Sequence, residues 1–111
     1  MGYSRAVVKG DWCFVSGVTG YDFATMVMPE DVVEQAHNTV ATIDRVLQEA
    51  GFALTDVVRA TYILTDIADL DAVRPVLRAS IGEVRPAATL LVAGLARPEM
   101  KIEIEVTAFR E

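Results

Sequence analysis

The strongest constraint on the fold is an alternating segment near the end of the chain, Lys101-Ile102-Glu103-Ile104-Glu105-Val106. Apolar and polar residues alternate strictly in it, and successive side chains of a β-strand point to opposite faces of a sheet. The segment therefore predicts a strand with one apolar face buried in a core. The opposite face of the strand carries two carboxylates, Glu103 and Glu105.

This carboxylate face limits what can cover the strand. Like charges on one strand face repel each other unless water or a cation lies between them, and a buried charge is costly unless it is paired. We therefore expect Glu103, Glu105 and Thr107 to line a cleft or a hydrated interface, where chemistry can take place.

The length predicts a single domain over residues 1–111. Hydrophobic residues make up 52% of the chain, more than so small an interior needs, which predicts an interface with further copies of the same chain. The net charge of −6 opposes a nucleic-acid partner, because phosphate binding relies on clustered Lys and Arg.

The sequence also predicts where the protein resides. No apolar run approaches the roughly 18 residues that span a membrane, and the first residues lack the apolar segment of a secretory signal. The single cysteine, Cys13, has no partner for an internal disulfide, which is typical of a reducing compartment. We expect a cytoplasmic protein without a membrane partner.

The hydrophobic pattern predicts the element order β-β-α-β-α-β-β. One helix is expected over 29–51. A second is capped by Asp69 or Asp71, runs through Ile81 and is closed by Gly82, with Pro75 in its first turn if the helix starts near Asp71. Both helices should cover one face of a mixed sheet, which gives an α+β sandwich whose carboxylate face is left for a partner subunit. The predicted strands are 3–8, 12–16, 57–64, 88–92 and 102–109, with a long loop over 17–29.

Metal and thiol chemistry are not favoured by the residues present. One His and one Cys are too few for a zinc site, and the paired carboxylates lack further oxygen ligands, so we expect no metal and no cofactor. Cys13 and His37 form a nucleophile and base only if the fold brings them together. The alternatives are a buried apolar cysteine and a packed histidine at the edge of the core or of an interface.

Two segments contain groups that could bind a substrate. Ser16-Gly17-Val18-Thr19-Gly20 ends a strand with two glycines, which either present backbone N–H groups to an anion or serve only to form a turn. Arg85 immediately precedes a strand, and arginine binds carboxylates with two parallel N–H groups. Arg85 is alternatively a solvated loop residue or one paired with Glu83.

Taken in order, several short segments resemble the reactive-intermediate deaminase family, also called RidA or YjgF. They span nearly the whole chain: Phe14-Val15-Ser16-Gly17, Glu34-Gln35, Val46-Leu47-Gln48-Glu49-Ala50-Gly51, Asp56-Val57-Val58-Arg59, Leu64-Thr65-Asp66, Arg85-Pro86-Ala87 and Ile102-Glu103-Ile104-Glu105. The resemblance implies a chorismate-mutase-like fold that assembles as a homotrimer with ligand clefts between subunits. It also implies hydrolysis of imines and enamines, such as 2-aminoacrylate, to a keto acid and ammonia without a metal or cofactor.

The resemblance further implies a set of site residues. The glutamate that positions the attacking water falls on Glu103. Other cleft positions of the family fall on Ser16, Gly17 and Tyr3. The arginine that binds the substrate carboxylate in the family falls on alanine, at position 87 or 88 depending on the alignment.

Arg85 is the residue that could replace this arginine. If position 87 is the aligned one, Arg85 lies two residues before it and on the same strand face, so that it reaches the cleft. If position 88 is aligned, Arg85 points away. The sequence thus supports the hypothesis that Arg85 and Glu103 act together on a small anionic metabolite, as anion anchor and water-orienting group, in a cleft shared by two subunits.

Three functions are compatible with these residues. The first is hydrolysis of an imine, an enamine or a related amino-acid derivative, favoured by Glu103 and the Ser16-Gly17 turn. The second is a non-catalytic, ligand-binding or regulatory trimer, favoured by the absence of the family arginine. The third, taken from an older label of the family, is an endoribonuclease or translation inhibitor. It is the least favoured, because the chain is acidic and lacks a histidine acid/base pair.

Overall fold

The computed structural model describes residues 2–111. Five strands and two helices follow the predicted order, with short 3-10 turns over 54–56, 67–69 and 81–84. The elements are β1 (Ala6–Lys9), β2 (Trp12–Thr19), α1 (Val32–Glu49), β3 (Val57–Leu64), α2 (Leu70–Ala79), β4 (Ala87–Val92) and β5 (Ile102–Phe109).

The five strands form one mixed sheet in the order β1-β2-β5-β3-β4. Strands β3 and β4 run parallel, and the other neighbours are antiparallel. The parallel pair exists because α2 connects β3 to β4, and a parallel neighbour needs such a crossover. The strand predicted from the alternating segment, β5, lies in the centre of the sheet.

Both helices pack on one face of the sheet and form the core with it. The alternating residues Ile102, Ile104 and Val106 of β5 are buried there, and α1 buries Ile43 and Leu47 against them in the same core. Burial of apolar area of this kind is the main favourable term in folding. The α+β sandwich with two helices on one face of a mixed sheet is confirmed.

No helix within residues 2–111 covers the other face of the sheet, which we call the open face. Several large apolar side chains on it are exposed, including Phe14 at 46% and Leu91 at 48%. Strand alternation and register assign these residues to the open face: Trp12, Phe14, Arg59, Thr61, Ile63, Thr89, Leu91, Glu103, Glu105 and Thr107.

Two predicted strand boundaries are wrong by three residues each. Strand β1 begins at Ala6 rather than at residue 3, so that Tyr3 precedes the sheet. Strand β2 continues beyond Ser16 to Thr19, because an irregularity between Val15 and Val18 lets the chain pass the glycine and resume its pairing with β5.

The predicted limits of the second helix also need correction. Helix α2 begins at Leu70, so Pro75 lies in its interior rather than in its first turn. Proline there cannot donate a hydrogen bond to the carbonyl of Asp71, four positions back, but Asp71 and Pro75 are both exposed, so this turn lies on the solvent side of the helix. The helix ends at Ala79, not at Gly82, and the hydroxyl of Ser80 donates to the carbonyl of Val76 at 2.7 Å.

Within the described residues, no helix is both long and apolar enough to span a bilayer.

Candidate functional site

Four of the five predicted site residues line one cleft at the edge where β2 and β5 meet the loops over 20–31 and 93–101. Tyr3, Ser16, Gly17 and Glu103 are all part of its lining, and its volume is about 600 Å³. The fifth, Arg85, is not part of this lining. We call this pocket the Glu103 cleft.

A β-bulge shapes one wall of the cleft. Val15 pairs with Val106 and Val18 pairs with Ile104, so two residues of β2 lie opposite the single residue 105 of β5. A bulge of this kind bends the strand and redirects its side chains, and it is common beside active sites. The two bulged residues are Ser16 and Gly17, the pair singled out in the sequence.

Gly17 and Glu103 are in close contact. A Cβ added to Gly17 would lie 2.8 Å from Cδ of Glu103 and closer still to its Oε1. The backbone torsion φ of Gly17 is not positive, so glycine is needed there for space rather than for an unusual conformation. The half-buried carboxyl group of Glu103 is therefore seated on the backbone of the bulge, facing the cleft.

Ser16 fixes the segment that precedes β1. Its backbone N–H and its hydroxyl both donate to the carbonyl of Arg5, each at 3.0 Å. The Arg5 side chain turns back toward the bulge, where Nη1 donates to the carbonyl of Gly17 at 2.8 Å. The guanidinium carbon also lies 5.8 Å from the centre of the Phe23 ring. Arg5 is therefore a cation of the cleft with a defined position.

A buried glutamine holds together the two loops that border the cleft. Gln35 of α1 has no exposed surface. Its Nε2 donates to the carbonyls of Pro29 at 2.7 Å and Glu99 at 3.0 Å, and its Oε1 accepts from the backbone N–H of Lys101 at 2.9 Å. One side chain of α1 thus links the loop that precedes α1 to the loop that precedes β5.

Helix α1 approaches the end of β2 so closely that only glycine fits between them. A Cβ added to Gly20 would lie 2.6 Å from Cα and 2.8 Å from the carbonyl oxygen of Gln35. Asn38 Nδ2 also donates to the Gly20 carbonyl at 3.1 Å. The second glycine of the Ser16-to-Gly20 segment is therefore a packing residue that places Gln35 beside the cleft.

A tyrosine and a glutamate join the loops at the cleft entrance. The hydroxyl of Tyr21 donates to Oε1 of Glu99 at 3.0 Å. This hydrogen bond raises the pKa of Tyr21. The pKa of Glu99 is lowered by its own backbone N–H and by the Tyr21 hydroxyl. The contact favours the ionised carboxylate and the neutral phenol.

Glu105 lies apart from this site, although it shares a strand face with Glu103. It lines a second cavity of about 360 Å³ on the open face, together with Arg59, Thr61 and Phe14. The two carboxylates, which the alternating segment could not distinguish, therefore border different spaces.

The structure does not assemble a nucleophile from Cys13 and His37. Cys13 is buried in the core between the sheet and the helices, and burial raises the pKa of its thiol. His37 is exposed on α1, beside Pro75 and Val76 of α2. His37 is therefore not buried at the edge of this chain's core, and its placement at the edge of an interface stays a prediction. Among residues 2–111, no group of three or more His, Cys, Asp or Glu side chains is placed to hold a metal ion.

Comparison with known proteins gives the family. Residues 1–110 match the family described as Endoribonuclease L-PSP. The chain belongs to this family, which is also called RidA/YjgF. It is 37% identical over 108 residues to the 2-iminobutanoate/2-iminopropanoate deaminase of Capra hircus, a match that covers 96% of this chain and 78% of the relative.

Solved structures of RidA/YjgF proteins have the same fold. RidA from an Antarctic Psychrobacter superimposes with a TM-score of 0.91 at 30% identity, covering 97% of this chain and 88% of that chain. E. coli TdcF with bound serine has a TM-score of 0.91 at 27% identity, covering 100% and 90%.

The place of the arginine implied by the RidA/YjgF resemblance is taken by alanine on β4. Ala88 pairs with the buried Ala60 and so faces the helix layer, whereas Ala87 pairs with Arg59 on the open face. Arg85 precedes the strand, is exposed and has a left-handed backbone with φ of 55°.

Arg85 lies at the wrong end of β4 to meet the glutamate of its own chain. Glu103 pairs with Ile63, which pairs with Leu91. Leu91 is four residues, or about 13 Å, further along β4 than Ala87. Arg85 and Glu103 of one chain therefore do not share the cleft, and the joint role predicted for them requires a second copy of the chain.

Sequence reasoning missed two residues of the site, Arg5 and Gln35. Gln35 carried a signal, since it lies three residues after Val32 and four before Thr39 on the buried face of α1, where a polar side chain needs partners. Arg5 carried none, because only the folded chain brings it to the bulge.

Proposed function

We propose that this chain hydrolyses small α-imino acids or their enamine tautomers in the Glu103 cleft. The observation that carries the proposal is the carboxyl group of Glu103, which is seated on the Ser16-Gly17 bulge and faces a cavity large enough for such a molecule. The relative from Capra hircus supports this substrate class, since its name is that of a deaminase of 2-iminobutanoate and 2-iminopropanoate.

The reaction needs one water molecule and one group that accepts and returns a proton. Glu103 removes a proton from the water molecule while the water oxygen adds to the carbon of the protonated imine. Glu103 then returns that proton to the nitrogen. The C–N bond then breaks as the new hydroxyl group gives its proton to Glu103, which forms the C=O bond, and Glu103 passes this proton to the released ammonia. The products are a keto acid and ammonium, with no change in oxidation state.

The remaining predicted residues surround this centre. Tyr3, Ser16 and Gly17 contact the substrate or hold the groups that do, because they line the same cleft as Glu103. Arg85, predicted from the sequence to bind the substrate, lies at the other end of β4 from this cleft, so only a neighbouring copy of the chain could bring it there. The wall formed by Phe23, Met26 and other apolar residues accommodates the apolar part of a small anionic metabolite.

The protein acts as a homotrimer in this proposal, with the open faces directed toward one another. Trp12, Phe14 and Phe109 form an aromatic cluster on that face, with ring centres of Trp12 and Phe109 4.7 Å apart. Phe14 and Leu91 are exposed in the single chain, and contact with other copies removes such apolar surface from water.

The trimer is tested by placing a charge on the open face. Phe14→Glu should yield monomers, whereas the unaltered protein should have three times the 12.1 kDa chain mass in light scattering. Ile67→Glu is the matched control, because Ile67 is exposed at 55% but lies in a turn outside the sheet. A Phe14→Glu protein that stays trimeric contradicts the proposed interface.

The activity is tested with Glu103→Gln, which retains shape but cannot accept the proton. Imines are generated in situ from several amino acids, and release of ammonia is compared with the uncatalysed rate. Turnover should fall by at least about 100-fold. Glu105→Gln, the same change two residues along the strand, should leave the rate unaltered because Glu105 lines a different cavity.

A second function, ligand binding without turnover, is favoured by the alanine at the family's arginine position. In that case the protein binds a keto or amino acid saturably in calorimetry and releases no ammonia from any imine. The imine assay therefore separates the two functions, since only the hydrolase exceeds the uncatalysed rate.

A further inference from the structure

The Glu103 cleft contains a cation that the sequence did not suggest. Both alanines that could align with the family's arginine are without charge, yet Arg5 and Arg97 line the same cavity as Glu103. The two arginines differ in how they are held. Arg97 is exposed and lies near Glu99, whose charge it partly offsets. Arg5 is half-buried and hydrogen-bonded to the bulge.

The guanidinium group of Arg5 is held in a defined position and has further N–H groups available to a ligand. A guanidinium group has five N–H donors, and Arg5 uses one of them on the carbonyl of Gly17 at 2.8 Å. Within residues 2–111, the ion pairs are Arg45 with Glu49 and Arg74 with Asp71, so no described carboxylate neutralises Arg5. Its remaining N–H groups can bind a carboxylate through two parallel hydrogen bonds.

Arg5 and Glu103 both lie against the same residue, Gly17. Arg5 donates to the carbonyl of Gly17, and the carboxyl group of Glu103 lies against the position a Gly17 side chain would occupy. In an α-imino acid the carbon attacked by water is bonded directly to the carboxylate carbon. The group that binds the carboxylate and the group that activates the water must therefore reach neighbouring atoms of one substrate, and Arg5 and Glu103 line the same cleft beside Gly17.

We propose that Arg5 binds the substrate carboxylate in this cleft and takes the role for which Arg85 was predicted. The inference rests on the proposed function for the identity of the substrate, an α-imino acid. The carboxylate-binding role of Arg5 does not depend on turnover, because the keto acid product has the same carboxylate and can be bound alone.

Binding of a keto acid and of its methyl ester tests this role. Titration calorimetry with 2-oxobutanoate and methyl 2-oxobutanoate isolates the contribution of the negative charge. The unaltered protein should prefer the acid by about ten- to hundred-fold, the range expected for a charge-assisted hydrogen bond. Arg5→Gln keeps a donor for the Gly17 carbonyl but removes the charge, and should abolish the preference for the acid.

Three further variants make the test specific. Arg5→Lys should restore part of the preference, since it returns the charge without the planar pair of donors. Arg45→Gln removes a positive charge from the exposed side of α1 and should bind both ligands as the unaltered protein does. Arg85→Gln should also retain the preference for the acid.

The outcomes separate this role from the proposed function. Three results would each overturn the role of Arg5. The unaltered protein binds acid and ester equally, it does not bind the keto acid at all, or Arg5→Gln keeps the preference for the acid. Loss of the preference in Arg85→Gln alone assigns it to Arg85 instead. If imines are not hydrolysed but the preference depends on Arg5, the proposed hydrolase is wrong and the carboxylate site stands.

Discussion

The carboxyl group of Glu103 lies against the backbone of Gly17, and a Cβ on Gly17 would lie 2.8 Å from Cδ of Glu103. The atoms that would clash are at the end of a flexible side chain, so Glu103 can rotate away at little cost in stability. The glycine therefore controls the direction of the carboxyl group more than it controls the fold.

Gly17→Ala should consequently reduce activity without unfolding the protein. We expect turnover of imines to fall by about ten- to hundred-fold, because a displacement of about 1 Å costs this much in a well-oriented site. The free energy of unfolding should change by less than about 1 kcal/mol. Urea titration and the imine assay measure the two effects, and Gly94→Ala, at a glycine with open space around it, is the control. Full activity in Gly17→Ala would falsify the close seating of Glu103.

Gln35→Leu should destabilise the protein and loosen the cleft. The substitution leaves the carbonyls of Pro29 and Glu99 and the N–H of Lys101 without their partner. An unpaired buried polar group costs about 1–3 kcal/mol, so we expect a loss of about 2–4 kcal/mol in the free energy of unfolding. Hydrogen exchange in the loop over 93–101 should also rise.

The matched control for this prediction is on the same helix. Gln48 is exposed and donates to Asp44 at 2.9 Å, so Gln48→Leu should change stability by no more than about 0.5 kcal/mol. Equal effects at positions 35 and 48 would show that Gln35 is not the link between the loops.

Gly20→Ala should destabilise the protein because the added Cβ would clash with the backbone of Gln35 in α1. The added Cβ would approach Cα of Gln35 at 2.6 Å and its carbonyl oxygen at 2.8 Å, and a helix backbone cannot rotate away as a side chain does. Overpacking of this kind costs about 1–3 kcal/mol. Thermal or urea unfolding measures the loss, and Gly94→Ala should be nearly neutral. A neutral Gly20→Ala would contradict the close approach of α1 to β2.

The hydrogen bond between Tyr21 and Glu99 should depend on pH in a defined direction. The folded protein lowers the pKa of Glu99, so the contact is favourable above the ordinary glutamate pKa and is lost as the pH falls through the lowered value. The hydrogen bond to Glu99 raises the pKa of Tyr21. The contact is therefore also lost as the pH rises through the raised pKa of Tyr21. It is intact at neutral pH.

Carbon-detected NMR of the Glu99 carboxyl group, from about pH 3 to 7, checks this prediction. The midpoint should be lower in the unaltered protein than in Tyr21→Phe. Tyr3→Phe, which removes a cleft hydroxyl that makes no hydrogen bond to Glu99, should not move it. If Tyr21→Phe leaves the midpoint unchanged, the phenol does not stabilise the Glu99 carboxylate.

The sequence by itself determined the order of the strands and helices and the fact that both helices pack on one face of the sheet, but not the limits of β1, β2 and α2. The alternation of Ile102, Glu103 and Ile104 sets one face of β5 as buried, since alternate side chains must point to opposite sides. The helical spacing of apolar residues likewise determined which face of α1 is buried. These are local patterns, and the family resemblance added Glu103, Ser16 and Gly17 as members of one site.

Only the tertiary structure decided which charged groups meet. Arg85 and Glu103 are predicted to share a cleft between two subunits, and within one chain about four residues of strand separate them. Arg5 instead reaches the bulge through a hydrogen bond to Gly17, twelve residues away in sequence. Contacts between distant segments depend on register, bulges and loop closure, and those follow from the packing of the whole chain rather than from any local pattern.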